Sequence, residues 1–241
     1  MSDATPIPPG AQVPRTLSIV IPALDEAASI AASVADARAH ADEVLVVDGG
    51  SRDRTAALAA DAGAIVVEAP RGRASQMNAG AARARGDALL FLHADVRLPP
   101  GAGTAVRAAL AEGARWGRFD VRLDSPRRAL ALVGAMMNLR SRGTGIATGD
   151  QAIFVDRALW EALGGYAPIP LMEDVELCTR ARRVARCACL RERVLVSARR
   201  WERRGVARTV VEMWTWRAAY ALGVSPATLH RLYYGRRGGR G

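Results

Sequence analysis

Leu17-Ser-Ile-Val-Ile21 leads into Pro22-Ala23-Leu24-Asp25-Glu26 and an Ala-rich stretch to Ala39, before Val44-Leu-Val-Val47 closes on Asp48. The two apolar runs have little polar alternation, which suits strands covered on both faces, as in a parallel sheet. The stretch between them predicts a helix over Glu26–Ala39, so the segment reads strand, helix, strand. The same rhythm continues with a helix over Asp53–Ala62, a strand over Ala64–Val67, a helix over Ala74–Arg85 and a strand over Ala88–Leu92. Such alternation predicts an α/β fold, a Rossmann-like domain around a mostly parallel central sheet. Ligands of these sheets bind in the crevice beyond the carboxyl ends of the strands. The polar residues just after each strand are therefore the first candidates for chemistry.

The second half is less regular. Trp116–Leu123 alternates like a strand, Arg127–Leu139 reads as a helix apolar nearly all round, Ala152–Val155 as a strand and Glu173–Arg183 as a helix. Val206, Val210, Met213 and Trp214 fall at i, i+4, i+7 and i+8 of an amphipathic helix. Gly223 ends it, and Ser225-Pro226 starts another by N-cap and first-turn proline logic.

The chain has 241 residues, half of them apolar, which is enough for one sizeable domain and argues against disorder of the whole. All 34 basic residues are Arg, and the net charge of +10 is unevenly spread. Residues 1–179 carry 18 Arg against 21 acidic residues, whereas residues 180–241 carry 16 Arg against Glu192, Glu202 and Glu212. The latter stretch also holds Trp201, Trp214, Trp216, Tyr220, Tyr233 and Tyr234. A basic, aromatic segment on a mildly acidic body predicts contact with anionic lipid headgroups, nucleic acid or a phosphorylated acceptor; a solvated, Arg-biased surface explains the charge equally well.

Cys178, Cys187 and Cys189 lack zinc-ribbon spacing, and their odd number argues against a disulfide framework; they read as reduced thiols of a cytoplasmic protein. Pro6, Pro8, Pro9 and Pro14 without an apolar run predict a flexible leader over residues 1–15, not a signal peptide. The longest apolar run, Ala129 to Met137, is far short of the ~20 residues that span a bilayer. The expected organisation is thus a leader, a domain over 16–200 and a basic helical tail over 201–241. Arg and Trp on an amphipathic helix suggest peripheral docking on an anionic membrane, such as the inner face of the plasma membrane, and packing of that helix on the domain is the competing expectation.

His93 and Asp95 sit two apart at a strand end, so an extended backbone points both to one face and makes them a candidate divalent-metal pair. A cation holding a diphosphate keeps waters and needs only one or two protein carboxylates; His suits Mn²⁺ better than Mg²⁺. A strand-terminal Asp also caps turns, which is the simpler reading. Glu173 and Asp174 open a helix. There they complement its dipole, or Asp174 serves as a general base for a hydroxyl. Asp48 ends a strand where a base could rest, and a carboxylate favours a ring N–H such as that of uracil. Gly49 and Gly50 let backbone approach a ligand, although Gly is also a default turn residue. Arg71-Gly72-Arg73 precedes a helix and could meet phosphates. No P-loop, Gly-x-Ser-x-Gly elbow or dinucleotide fingerprint is present.

The order of these segments resembles the inverting family 2 glycosyltransferases of GT-A fold, over roughly residues 15–205. The resemblance rests on Ser18-Ile-Val-Ile-Pro-Ala-Leu-Asp-Glu26, on Val46-Val-Asp-Gly-Gly-Ser-Arg-Asp-Arg-Thr55, on Gly72-Arg-Ala-Ser-Gln-Met-Asn78-Ala-Gly80, and on Glu173-Asp-Val-Glu-Leu177-Cys-Thr-Arg180. It implies that Pro22, Ala23, Glu26, Asp48, Gly49, Arg73, Gln76 and Ala94 surround a UDP-linked sugar. Asp95, with His93, would bind Mn²⁺ or Mg²⁺, and Asp174, beside Glu173, would deprotonate the acceptor. The reaction would be a single displacement with inversion, the metal stabilising the departing diphosphate.

Two departures stand out. The usual Asp-x-Asp is His93-Ala-Asp95, and the Gln-x-x-Arg-Trp of processive synthases is Ser197-Ala-Arg-Arg200-Trp201. Asp150, Gln151, Arg200 and Trp201 are candidates for acceptor or diphosphate contact. The His-Ala-Asp variant, Gly149-Asp150-Gln151 and the Arg-Arg-Trp-Glu tail resemble transferase 2 of radical-SAM/selenodomain gene neighbourhoods. The expected partners are a nucleotide-sugar donor and a hydroxyl acceptor, lipid-linked if the tail meets a membrane, with no nucleic acid expected. A nucleotidyltransferase, a non-catalytic sugar-nucleotide binder and, more distantly, a nucleic-acid-binding protein remain the alternatives.

Overall fold

The computed structural model describes residues 16–235, so the leader over 1–15 and the last six residues lie outside the described part. Eight strands form one sheet in the order β3-β2-β1-β4-β7-β6-β8-β5. They are β1 (Leu17–Ala23), β2 (Glu43–Asp48), β3 (Ile65–Glu68), β4 (Ala88–Phe91), β5 (Val96–Arg97), β6 (Trp116–Asp124), β7 (Ile153–Asp156) and β8 (Ala188–Ser197). The pairings β1 with β2, β2 with β3, β1 with β4 and β6 with β8 are parallel, and only β7 and β5 run against the others. The sheet is therefore mostly parallel, as expected.

The helices are α1 (Ile30–Arg38), α2 (Thr55–Asp61), α3 (Arg73–Arg83), α4 (Ala102–Ala111), α5 (Arg128–Thr144), α6 (Arg157–Leu163), α7 (Glu173–Val184), α8 (Arg199–Arg204), α9 (Val206–Ala221) and α10 (Pro226–Gly235). Apolar side chains of β1, β2 and β4 alternate between two core layers, one under α1 and α4 and the other under α3 and α7. That double coverage is why these strands read as unbroken apolar runs.

Three expectations about single elements change. α1 starts at Ile30 and not at Glu26, because the Glu26 carbonyl accepts from Ser29 N and Ile30 N in a turn that precedes the helix. α5 is not wrapped in protein on all sides: it buries Leu130, Gly134, Met137 and Ser141 and leaves Leu132, Met136 and Leu139 exposed. β8 had no expected counterpart, since Arg191-Glu192-Arg193 interrupts its apolar pattern where the pairing with β6 shifts register. The expected boundary at 200/201 falls inside α8, whose Trp201 is buried in the main core with Val206, Val210 and Met213 of α9 packed against it. One face of the tail thus docks on the domain, while Trp214 and Val211 face outward. No helix of the described residues is long and apolar enough to cross a membrane.

Candidate active site

The loops after β1 and β2 are laced together. Asp25 N donates to Ser51 Oγ (3.0 Å), Glu26 N to Thr55 Oγ1 (2.8 Å), Ala27 N to Asp53 Oδ2 (3.1 Å) and Arg52 N to Asp25 Oδ1 (2.8 Å). Asp48 folds its own turn, accepting from Gly50 N, Ser51 N and the Ser51 hydroxyl. Gln76 is buried on α3 and donates through Nε2 to the carbonyls of Ala23 and Val47, each at 2.8 Å. A Cβ at Gly49 would stand 3.0 Å from that amide, so Gly is what lets Gln76 clamp the two strand ends. Pro22, Ala23, Glu26, Asp48, Gly49 and Gln76 therefore share one corner of the crevice. The Glu26 carboxylate, held by Ser29 Oγ at 2.9 Å, is only partly covered.

The other corner gathers residues from distant parts of the chain. His93 Nδ1 lies 3.3 Å from Asp150 Oδ1, and its Nε2 faces Gly149, where a Cβ would come within 2.2 Å. Gly149 N donates to Asp174 Oδ2 at 2.9 Å. Arg73, opening α3, is 3.6 Å from the buried Glu173 carboxylate. Burial pushes Glu173 above the usual carboxylate range, and the neighbouring Asp174 adds to this, against the pull of Arg73. Burial acts the same way on Asp150, but the hydrogen bond and charge of His93, with Arg73 and Arg200, outweigh it and hold Asp150 below its ordinary value.

Asp95 is exposed on the turn after β4, and no hydrogen bond or ion pair engages its carboxylate among the described residues. Ala94 beside it is buried, its carbonyl accepting from Ser33 Oγ at 2.6 Å. Gln151 is fully buried, its amide meeting Ser141 Oγ, the Phe119 carbonyl and Thr148 N, so it shapes the turn that carries Gly149 and Asp150. Trp201 is likewise in the core. Arg200 is exposed, donates to Tyr233 Oη at 2.6 Å and lies 5.7 Å from that ring's centre.

Several contributors had no role assigned from the sequence, although Asn78 and Arg180 stand in the segments that carry the resemblance. Arg180, bidentate to Glu176 at 2.6 Å, also donates to the carbonyls of Leu163 and Gly165 and so anchors α7. Asn78 exchanges amide hydrogen bonds with the Tyr166 backbone at 2.8 and 2.9 Å, fixing the loop that leads to Glu173. Tyr220 lies within electrostatic reach of Asp174 and Glu176, and Tyr234 of Arg73. An aromatic-rich tail was evident in the sequence; its approach to these residues was not.

Residues 18–129 match the family described as Glycosyl transferase family 2. Compared by sequence with curated proteins, the chain matches none. Among solved structures it is similar to glucosyl-3-phosphoglycerate synthase from Mycobacterium tuberculosis, in a complex with Mn²⁺, UDP and glucosyl-3-phosphoglycerate. The identity is 22% over 76% of this chain and 72% of that one, with a TM-score of 0.59. A Pyrobaculum calidifontis mannosyltransferase in complex with GDP-Man and Mn²⁺ is 19% identical over 78% of this chain and 59% of its own, at 0.58. S. aureus TarS 1-349 is 15% identical over 76% and 61%, at 0.60. Residues 18–129, which build the first six strands and the corner laced by Ser51, Asp53 and Thr55, are thus similar to family 2 glycosyltransferases, and the domain shares the fold of the solved structures just named.

Proposed function

We propose that the protein transfers a sugar from a nucleotide diphosphate-sugar, UDP-linked, to an acceptor hydroxyl with inversion, and that Asp174 is the base. The convergence of His93, Gly149, Asp150 and Asp174 beside the end of β4 carries this reading. Asp174 receives the acceptor proton, while the Gly149 amide orients the carboxylate through Oδ2. Glu173, pushed up by burial, supports Asp174 and Arg73 and is not itself the base. Pro22, Ala23, Glu26, Asp48 and Gly49 form the nucleotide corner, with Gln76 fixing its walls and Arg73 placed for the diphosphate. Arg200 is the tail residue placed for that diphosphate, while Gln151 and Trp201 act as scaffold.

Among the described residues no group of three His, Cys, Asp or Glu side chains forms a metal cage. The donor set still fits a hard cation that completes its shell with diphosphate oxygens and water. Asp95, exposed and unengaged, would hold Mn²⁺ or Mg²⁺, and we assign His93 to positioning Asp150, since both its nitrogens already face protein. The cation would supply positive charge to the leaving diphosphate. That two of the solved structures named above hold Mn²⁺ together with UDP or GDP-Man supports the same donor chemistry.

Calorimetry with UDP, with and without Mn²⁺, tests the donor assignment. Asp95→Ala should abolish metal-dependent UDP binding. Asp174→Asn should bind UDP normally and lose transfer by at least ~100-fold; undiminished transfer would refute the base. Release of a nucleoside diphosphate, not pyrophosphate, separates this activity from nucleotidyl transfer. The affinity to the radical-SAM-associated subfamily, a lipid-linked acceptor and contact with anionic membrane belong to the same proposal, supported by the basic tail and the outward Trp214.

A further inference from the structure

α5 and α9 enclose a groove that none of the residues assigned above to donor, metal or base lines, apart from the buried Trp201. Met137 and Trp201 are buried in its floor, and the exposed Met136 and Trp214 stand on its walls. Its empty space is about 480 Å³ counted out to solvent. Such a surface takes an aliphatic chain or a flat ring; Met in particular adapts to irregular apolar shapes.

Two guanidinium groups line the same groove, Arg140 from α5 and Arg217 from α9. Neither is in an ion pair or a side-chain hydrogen bond among the described residues, and Arg217 Nη2 is buried with no partner. A covered, unpaired guanidinium is costly unless an anion meets it. Other Arg residues of this half of the chain do have partners: Arg142 meets Asp120, Arg180 meets Glu176, and Arg204 and Arg208 meet Glu212. Burial pushes Arg140 below the usual guanidinium range, against the pull of the Asp174 carboxylate, which places this end of the groove within electrostatic reach of the base.

We infer that the groove between α5 and α9 binds an amphiphile with a single anionic head, its apolar body on Met136, Met137, Trp201 and Trp214 and its charge on Arg140 and Arg217. Resting on the glycosyltransferase reading, this ligand is the acceptor: an anionic amphiphile that also carries the accepting hydroxyl, its head held within electrostatic reach of Asp174. The source is a single molecule that enters the groove, not a bilayer surface on which the protein rests.

The test uses the full chain and follows Trp fluorescence during titration with dodecyl phosphate below its micelle concentration, against inorganic phosphate and a neutral dodecyl glycoside. Dodecyl phosphate should bind at least about tenfold more tightly than either control, since both the charge and the chain are recognised. Arg217→Gln and Met136→Asp, each at a position without a structural partner to lose, should each weaken it about tenfold or more and leave UDP binding unchanged. Equal binding of the neutral glycoside, or binding indifferent to both substitutions, overturns the inference. So does adsorption to anionic phospholipid vesicles without binding of monomeric dodecyl phosphate. Groove binding intact in a chain that fails to bind UDP with Mn²⁺ would overturn the donor assignment alone, so the two failures are separable.

Discussion

At the residue scale, Gly149 decides whether the corner around Asp174 assembles. Its N–H holds Asp174 and its missing side chain makes room for His93. Gly149→Ala should push the imidazole off Asp150, with transfer falling at least ~10-fold while UDP binding in the other corner persists. A structure or NMR spectrum with His93 undisplaced and full activity would contradict this. The sequence marked Asp150 and Gln151 as neighbours with one role, but the structure separates them: Asp150 faces His93 across 57 positions, and Gln151 turns inward. Such an inside-or-outside choice depends on the φ of Ala152, +47°, which no local pattern encodes. Arg140 was equally silent, because only the packing of α9 gives it a groove to line.

At the element scale, the strands were legible because burial on both faces leaves mostly apolar residues in β1, β2 and β4, with Ser18, Glu43 and Asp48 as the polar exceptions. β8 was not, because Arg191, Glu192 and Arg193 sit where it bulges against β6. Among the described residues, the non-glycine residues with positive φ are Asp25, Ala152 and Met172, and each flanks a candidate segment: Glu26, Gly149-Asp150-Gln151, and Glu173-Asp174. Backbone held in this region costs on the order of 1–3 kcal/mol and persists where surroundings demand it. Met172 sets the entry angle of α7. Met172→Val, β-branched at φ +69°, should therefore lower stability by more than ~1 kcal/mol, whereas Met172→Gly should stay within about 1 kcal/mol of the native chain. Urea denaturation of both variants makes the comparison, and equal midpoints would show that the turn relaxes freely.

At the scale of the whole molecule, the inner face of the tail packs on the core of the domain. Trp201 belongs to the same core as Leu17 and Phe119, almost two hundred and some eighty positions earlier. Trp201→Ala should accordingly destabilise the chain by about 3–5 kcal/mol, in the range for a large buried ring. A loss below about 1 kcal/mol in thermal or urea unfolding would mean that α8 to α10 fold as a separate unit. Composition revealed that this segment was basic and aromatic, yet charge alone did not separate inward from outward faces. Val206, Val210 and Met213 went in; Trp214, on the same predicted stripe, stayed out.

α3 touches both ends of the cleft within two turns. Arg73 reaches Glu173, Gln76 grips the tips of β1 and β2, and Asn78 fastens the loop ahead of α7. A rod so attached cannot tilt at one end without tugging the other. A guest settling against the first two strands would therefore be felt as a nudge at the carboxylates of α7, and the two halves of the cavity would open and tighten in step.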